Sequence, residues 1–543
     1  MDYKKLALYI AWGFVALMLW NAWQIDYPTK ATPKTSAVTQ QQSASNNVTT
    51  QSNTTVPSNS QTVSNAKKIL VQTDTLNVTI DTQGGKFVEI NLPNYPANDK
   101  DKNKSFVLLN TDPATYYTAM SGITGFNNIV YQSDKSTYIL HPQQNQLIVR
   151  LHAEKNGMKI LKTFVFKRGS NAIDVNYVIN NQSSNIWHGR LFMQIARNAK
   201  ETGTHHMLGL KSFYGVVISS PSNDYQKYTF EKLSEDPISE QITGGWLAFV
   251  QHYFISAWIP KNNQSFFYQS QTKNNNVYDI TLMGDELTAP PGNSLETGST
   301  FYAGPATKSQ LDPIAPHLSL TIDYGWLWMI SVLLFWLLKH IHMFIGNWGW
   351  SIVLLTILIK LIFYKLSETS YKSMAKMRDL QPKIQELKKQ YGDNRQELGK
   401  ATMALYRKEK VNPVNGCLPM IIQIPVFIAL YYVLAESVQL RMAHFLWIHD
   451  LSVKDPFYIL PILMGISMFV QQRLSPPPAD PMQAKVMMFL PVFFTIIFLN
   501  FPAGLTLYWL TNNTISVLQQ WYIMRKYKRG HYNKKPKVKR KKK

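Results

Sequence analysis

Two periods of hydrophobicity divide the chain. Over residues 67–310 apolar positions alternate in short runs, Leu76-Val78-Ile80, Val88-Ile90-Leu92, Leu147-Val149-Leu151 and Ile173-Val175-Tyr177-Ile179, separated by Asn, Gly and Pro clusters. Alternation places every second side chain on one face and predicts a large antiparallel β-sandwich. Beyond residue 325 the runs become continuous, at 326–338, 348–364, 418–435, 456–470, 486–501 and 505–524. Most approach the ~20 residues that a membrane-spanning helix needs. A further apolar run at 6–23 follows Lys4 and Lys5 and ends in bulky residues, with no small-x-small cleavage site. It predicts an uncleaved signal anchor whose N-terminus stays in the cytoplasm. Residues 28–66 are rich in Ser, Thr, Gln and Asn, with Pro28, Pro33 and Pro57. They lack the apolar content of a core and predict a flexible tether.

Charge decides which runs cross. The net charge of +23 is uneven. Residues 24–345 carry 25 Lys+Arg against 22 Asp+Glu, whereas 525–543 hold twelve basic residues and no acidic one. If 326–338 and 348–364 both crossed, the loop 367–416, with eleven Lys+Arg, and the basic tail would lie outside. That arrangement violates the positive-inside rule twice. Thirteen residues are also too few to span. Trp326, Trp328 and Trp336 with Lys339 and His340 suit a helix lying in the outer interface. The reading is a polytopic α-helical membrane protein with six spans, both termini inside, and a large β-sandwich outside. Its segments are a signal-anchor span at 1–26, the tether at 27–66, the β-domain at 67–320 and an interfacial amphipathic helix at 321–347. A second span at 348–366, a cytoplasmic helical hairpin at 367–416, four spans within 417–524 and the basic tail at 525–543 follow. Two of the last spans are short and contain Pro461 and Pro491, which implies local thinning of the bilayer or polar neighbours.

Candidate chemistry centres on Lys360, inside the run WGWSIVLLTILIKLIFY. Lysine at the centre of a spanning helix costs roughly 2.5–3.5 kcal/mol. It is kept where it faces protein, water or substrate, or where it snorkels to the headgroups. Lys365 at the membrane edge is only about 7–8 Å of helix rise away, so this span alone leaves both readings open. The last span carries Thr506, Thr511, Asn512, Asn513, Thr514 and Ser516. That polar run beside a buried lysine favours a hydrated groove over simple helix–helix contact.

In the hairpin, Met377, Leu380, Ile384, Leu387 and Tyr391 follow an a/d heptad. Gly392-Asp393-Asn394 supplies a turn, and Leu398, Ala401 and Leu405 return. Pro382 kinks the first arm or starts a fresh helix. Its basic faces suit solvent, or a substrate or ribosomal partner. The tail, with Arg525, Lys526, Lys528, Arg529, Lys534 and Lys535, is expected to be disordered and to bind polyanions, either ribosomal RNA or anionic lipid. The single cysteine, Cys417, excludes an intramolecular disulfide and a cysteine metal site. No Walker, dinucleotide-binding or H-E-x-x-H motif occurs. His205-His206 and His340/His342 read as the only close histidine pairs, without carboxylate or cysteine support. No cofactor, metal or catalytic constellation is expected.

The strings NWGWSIVLLTILIK, SMAKMRDLQPKIQELKKQYGD, ALYRKEKVNPVNGCLPMIIQIPVFIALYYVL, LWIHDLSVKDPFYILPILMGISMF and FPAGLTLYW resemble the YidC/Oxa/Alb family of membrane protein insertases. Upstream, GGWLAFVQHYFISAWIP and APHLSLTIDYGWLW resemble the periplasmic domain of its Gram-negative YidC type. The resemblance implies a periplasmic β-supersandwich, a five-helix core, and a hydrophilic groove open to cytoplasm and lipid. The implied activity is insertase and chaperone, not enzyme, in the bacterial inner membrane, alone or with the Sec translocon and its accessory subunits. Nascent membrane proteins, the ribosome and inner-membrane lipids are the other implied partners. The family usually has arginine where this chain has Lys360, which keeps the charge and loses the bidentate fork. Thr356 matches a groove position, and Tyr508-Trp509 matches an aromatic pair that is often Tyr-Tyr. Asn500 and Asn512 complete the expected groove set. The alternative is a secondary transporter with Lys360 as a proton or anion site, although no repeated halves are visible. A sugar-binding or enzymatic β-domain rests on fold analogy alone.

Overall fold

A computed structural model of the 543-residue chain describes residues 66–97, 101, 103–126, 128–199, 213–261, 264–273, 276–392, 394–412, 414–475 and 481–532. The expected signal anchor, all of the tether but residue 66, His205, His206, Lys534 and Lys535 lie outside the described residues.

The alternating runs form two large sheets, one of ten strands and one of nine. Pairing is antiparallel throughout, except where Lys68–Gln72 runs parallel to Thr137–Ile139. Ala172–Asn181 shows why the pattern works. Ile173, Val175, Tyr177 and Ile179 are fully buried, and their odd-spaced neighbours only partly so. Side chains from both sheets merge in one core that includes Phe87, Phe164, Trp258 and Phe301. Trp246–Gln251 is buried at all six positions. Its second face is covered by the segment leading out of the domain, through Leu311, Ala315, Leu318 and Ile322. The Trp246 indole donates to Pro316 O at 2.9 Å.

Nine helices are considered beyond this segment. They are α1 (Trp328–Ile345), α2 (Trp348–Ile362), α3 (Tyr364–Asp379), α4 (Gln381–Tyr391), α5 (Arg395–Lys408), α6 (Val414–Glu436), α7 (Ile459–Leu474), α8 (Pro481–Phe498) and α9 (Ala503–Tyr532). Three expectations need correction. α1 falls within the expected 321–347 helix, but the thirteen apolar residues at 326–338 understate its length. The helix continues through His340 and His342 to a left-handed glycine cap at Gly346, 18 residues in all. Among the described residues α1 is the one helix long and apolar enough to cross a membrane unaided, so length does not argue against its spanning. The run 348–364 is not one straight element either. It breaks at Phe363, and α3 leaves α2 at 68°. Finally, the basic tail does not begin disordered. The backbone stays helical through Tyr532, because α9 simply propagates and cations suit a helix C-terminus.

The hairpin chemistry resolves as a fresh start at Pro382, which occupies the first turn of α4. Asn394 caps α5 by accepting from Glu397 N at 3.2 Å. Met377, Leu380 and Ile384 form a small core with Val411. Leu387 is half-buried beyond it.

Candidate functional site

α2 buries one face, through Gly349, Ile352, Thr356, Ile359 and Lys360, and exposes Leu354, Ile357, Leu361 and Ile362. Apolar outward residues and a polar residue turned inward are the reverse of a soluble helix. The spacing also places Thr356 and Lys360 one turn apart on the same face. Gly349 is required there, since a Cβ would lie 2.1 Å from the Phe445 ring. Because α2 ends at Ile362, Lys360 falls in its last turn, where a cation complements the helix dipole.

Lys360 is 7 % exposed and faces protein. Its ammonium donates to Ser516 Oγ at 2.7 Å and to Gln423 Oε1 at 3.3 Å. Gln423 in turn donates to Asn512 Oδ1, and Ser516 Oγ donates to Asn512 O at 2.8 Å. Three helices, α2, α6 and α9, thus meet in one polar cluster. Tyr508, Asn512 and Ser516 fall at i, i+4 and i+8, which stacks them along one face of α9. A second ladder joins α9 to α7, where Asn513 donates to Ser467 Oγ at 3.3 Å and Gln520 to Ser475 Oγ at 3.4 Å. Among the described residues no carboxylate pairs with Lys360. A buried cation held by neutral dipoles retains its attraction for an anion.

The expected groove residues divide. Lys360 and Asn512 share the cluster. Thr356 is beside it, but its hydroxyl donates to Ile352 O of its own helix at 2.7 Å. Tyr508 is buried, with its ring stacked on Phe427 at 6.2 Å. Trp509 packs edge-on against Phe427 and Phe498, at 4.6 and 4.9 Å, on the apolar side. Asn500 is exposed in the turn between α8 and α9, more than three helical turns from Ser516. Ser516 is expected only as part of the polar run of the last span, and Gln423 lies outside the expected groove set. The available signal for Gln423 was a lone amide in the apolar string MIIQIPVFIALYYVL. In the tail, the Arg525 guanidinium lies 5.2 Å over the Trp521 ring.

Comparison with known proteins identifies the family. Residues 68–337 match the family model for the YidC periplasmic domain, and residues 340–531 match that of the 60Kd inner membrane protein. The membrane protein insertase YidC of Coxiella burnetii (strain Dugway 5J108-111) is 45 % identical, covering 97 % of both chains. That of Legionella pneumophila (strain Lens) is 45 % identical, over 97 % of this chain and 98 % of its own. A crystal structure of an active YidC insertase with its first transmembrane domain resolved covers 84 % of this chain and 92 % of its own, at 18 % identity and a TM-score of 0.39. With two family models matched end to end and such identity along nearly its whole length, the chain belongs to the YidC family of membrane protein insertases.

Proposed function

We propose that this chain inserts nascent hydrophobic segments into the inner membrane by admitting them to a groove floored by Lys360, Gln423, Asn512 and Ser516. The observation that carries this reading is a buried ammonium whose hydrogen-bond partners are neutral. Insertion is transfer between phases, with no bond made or broken, so it needs no catalytic group. About 20 apolar residues, each gaining ~0.3–0.6 kcal/mol, release on the order of 10 kcal/mol on entering lipid. The barrier is the polar tail that must cross. Lys360 attracts an acidic tail by about 3 kcal/mol at ~5 Å and an effective dielectric near ~20. The membrane potential adds roughly 2.3 kcal/mol per charge per 100 mV for an anionic tail moving outward.

The test pairs two substrates, one with an acidic and one with a neutral outward-moving tail, scored by protease protection in vesicles. Lys360→Arg retains insertion of both, because charge and reach survive. Lys360→Ala impairs the acidic-tail substrate more than the neutral one. Equal, wild-type insertion of both by the alanine variant rejects the groove role. Equal loss of both rejects tail attraction and leaves groove hydration or shape.

The topology we infer has six spans and both termini in the cytoplasm, with α1 lying in the outer interface. It is supported by the eleven basic residues of 367–416 and the twelve of 525–543, which belong inside. The exposed Trp328, Trp336, Met343 and Phe344 of α1 suit an interfacial helix. The ribosome is the inferred partner of the tail and of the basic faces of α4 and α5, with the Sec translocon as a neighbour in the membrane. Deleting 530–543 weakens ribosome co-sedimentation, and binding by the intact chain falls steeply with salt. Binding unchanged by the deletion removes the tail from the ribosome contact.

A further inference from the structure

The loop between α6 and α7 contains a tight hairpin at the opposite end of α2 from Lys360. Phe445 and Ile448 exchange both backbone hydrogen bonds, at 2.8 and 2.9 Å. Leu446 takes a left-handed φ of 53°, which lets two residues close the turn. Residues flanking such a hydrogen-bonded pair form the closer, non-hydrogen-bonded pair, with side chains on one face. Here they are His444 and His449. Their Nδ1 atoms stand 3.4 Å apart, with the ring planes at 82°. Both rings are exposed.

The hairpin is fixed in place. Phe445 and Ile448 are buried beneath it. The Trp447 indole donates to Asp455 Oδ1 at 3.0 Å, and the other oxygen of that buried carboxylate accepts from Leu460 N at 2.7 Å. Asn347, the cap of α2, donates to His444 O at 3.0 Å. The two imidazoles are therefore presented by a backbone held from three sides.

We propose that His444 and His449 form a two-imidazole site for a divalent transition metal ion of the Zn2+, Cu2+ or Ni2+ class. Two nitrogens bound at ~2.0–2.1 Å to one tetrahedral ion lie ~3.3–3.4 Å apart, so the ion enters without backbone movement. Each neutral ring offers its Nδ1 lone pair and keeps the proton on Nε2. Imidazole donors select Zn2+, Cu2+ and Ni2+ over Mg2+ and Ca2+. Among the described residues no group of three or more metal-ligating side chains is assembled. The remaining positions are open to water or to a further donor. The hairpin lies at the end of the helical core that touches the β-domain, through Val438 and Arg441. A bound ion there ties together the strands that hold the α2 cap and the start of α7.

The test uses the full-length, untagged protein in detergent, stripped with a chelator and then given Zn2+ alone in equilibrium dialysis. His444→Ala and His449→Ala each bind one Zn2+ fewer per chain than wild type. With Cu2+ as the probe, the wild-type electron paramagnetic resonance spectrum shows a centre with two imidazole nitrogens, and His444→Ala loses it. Equal Zn2+ uptake by wild type and both variants overturns the proposal. So does a wild-type Cu2+ spectrum without a paired-imidazole centre, a result that depends on no variant's folding.

Discussion

Lys162 and Lys360 are both withdrawn from water, and their surroundings separate a structural role from a substrate-facing one. Lys162 lies fully buried between the two sheets. Its ammonium donates to Gly84 O, Gly85 O and Ser121 O at 3.1, 2.8 and 2.8 Å, and sits 5.1 Å from the Phe164 ring centre. Its three donors are all spent on the backbone, and a Cβ on Gly85 would meet its Nζ at 2.9 Å. Removing it leaves dry carbonyls, so Lys162→Met lowers the β-domain's stability by about 2–4 kcal/mol. Burial also holds its pKa well below the ordinary lysine value of 10.5. Between the lowered value and 10.5 the unfolded chain binds a proton that the folded chain does not, so stability rises with pH through that window. The urea midpoint of the domain in the detergent-solubilised full chain reads this out. The gap between wild type and Lys162→Met widens as pH rises toward the ordinary lysine value. A constant gap means that Lys162 stays charged in the fold. Lys360 instead spends its donors on two side chains that can rotate away, and that freedom fits a site which exchanges partners.

At the scale of elements, hydrophobic period and helix length are separate signals. Period marks an apolar run of thirteen residues at 326–338, whereas the helix itself runs on past the polar His340 and His342. The helix absorbs both: His340 Nδ1 contacts Trp336 O at 2.8 Å, and the His342 ring stacks on Trp348 at 3.9 Å. With length no longer deciding whether α1 crosses, charge asymmetry carries the topology alone, and it makes a direct prediction. In a Cys417→Ser background, a cysteine replacing Ser222 is labelled by an impermeant thiol reagent added to intact spheroplasts, and one replacing Ser475 is not. Labelling at 475 overturns the six-span arrangement. The break at Phe363 shows the same limit: the expected boundary between second span and hairpin, at 366/367, falls three residues past the 68° bend.

At the scale of the whole molecule, the β-domain touches the helical core directly. Val438, from the loop after α6, joins the sandwich core. Arg441 donates to Ala97 O at 3.0 Å, with its guanidinium 5.4 Å over Phe106. His252 Nε2 donates to Ala435 O at 2.9 Å, at the end of α6. None of these contacts involves the Lys360 cluster. Deleting 67–300 while keeping the interfacial segment 326–345 therefore leaves insertion of a short single-span substrate in place, and makes the loop 437–458 more sensitive to protease. Complete loss of insertion by a stable, correctly localised deletion contradicts this separation.

Local information settled the classes of element and the presence of a costly lysine. Period two marked the strands, continuous runs marked the helices, and desolvation singled out Lys360, all from neighbours within a turn or two. The partners of that lysine were not legible, because Gln423 and Ser516 stand 63 and 156 residues away. Which of many polar residues in α9 meets it depends on how three helices cross. The pairing of His444 with His449 is illegible in the sequence for a related reason. Five residues apart is no helical or strand neighbour, and only a two-residue turn between Phe445 and Ile448 brings their rings together. Sequence by itself determined the kinds of element and the price in solvation at single positions. Tertiary structure decided which side chains share a site, because contacts across elements depend on crossing and turn geometry that no local period encodes.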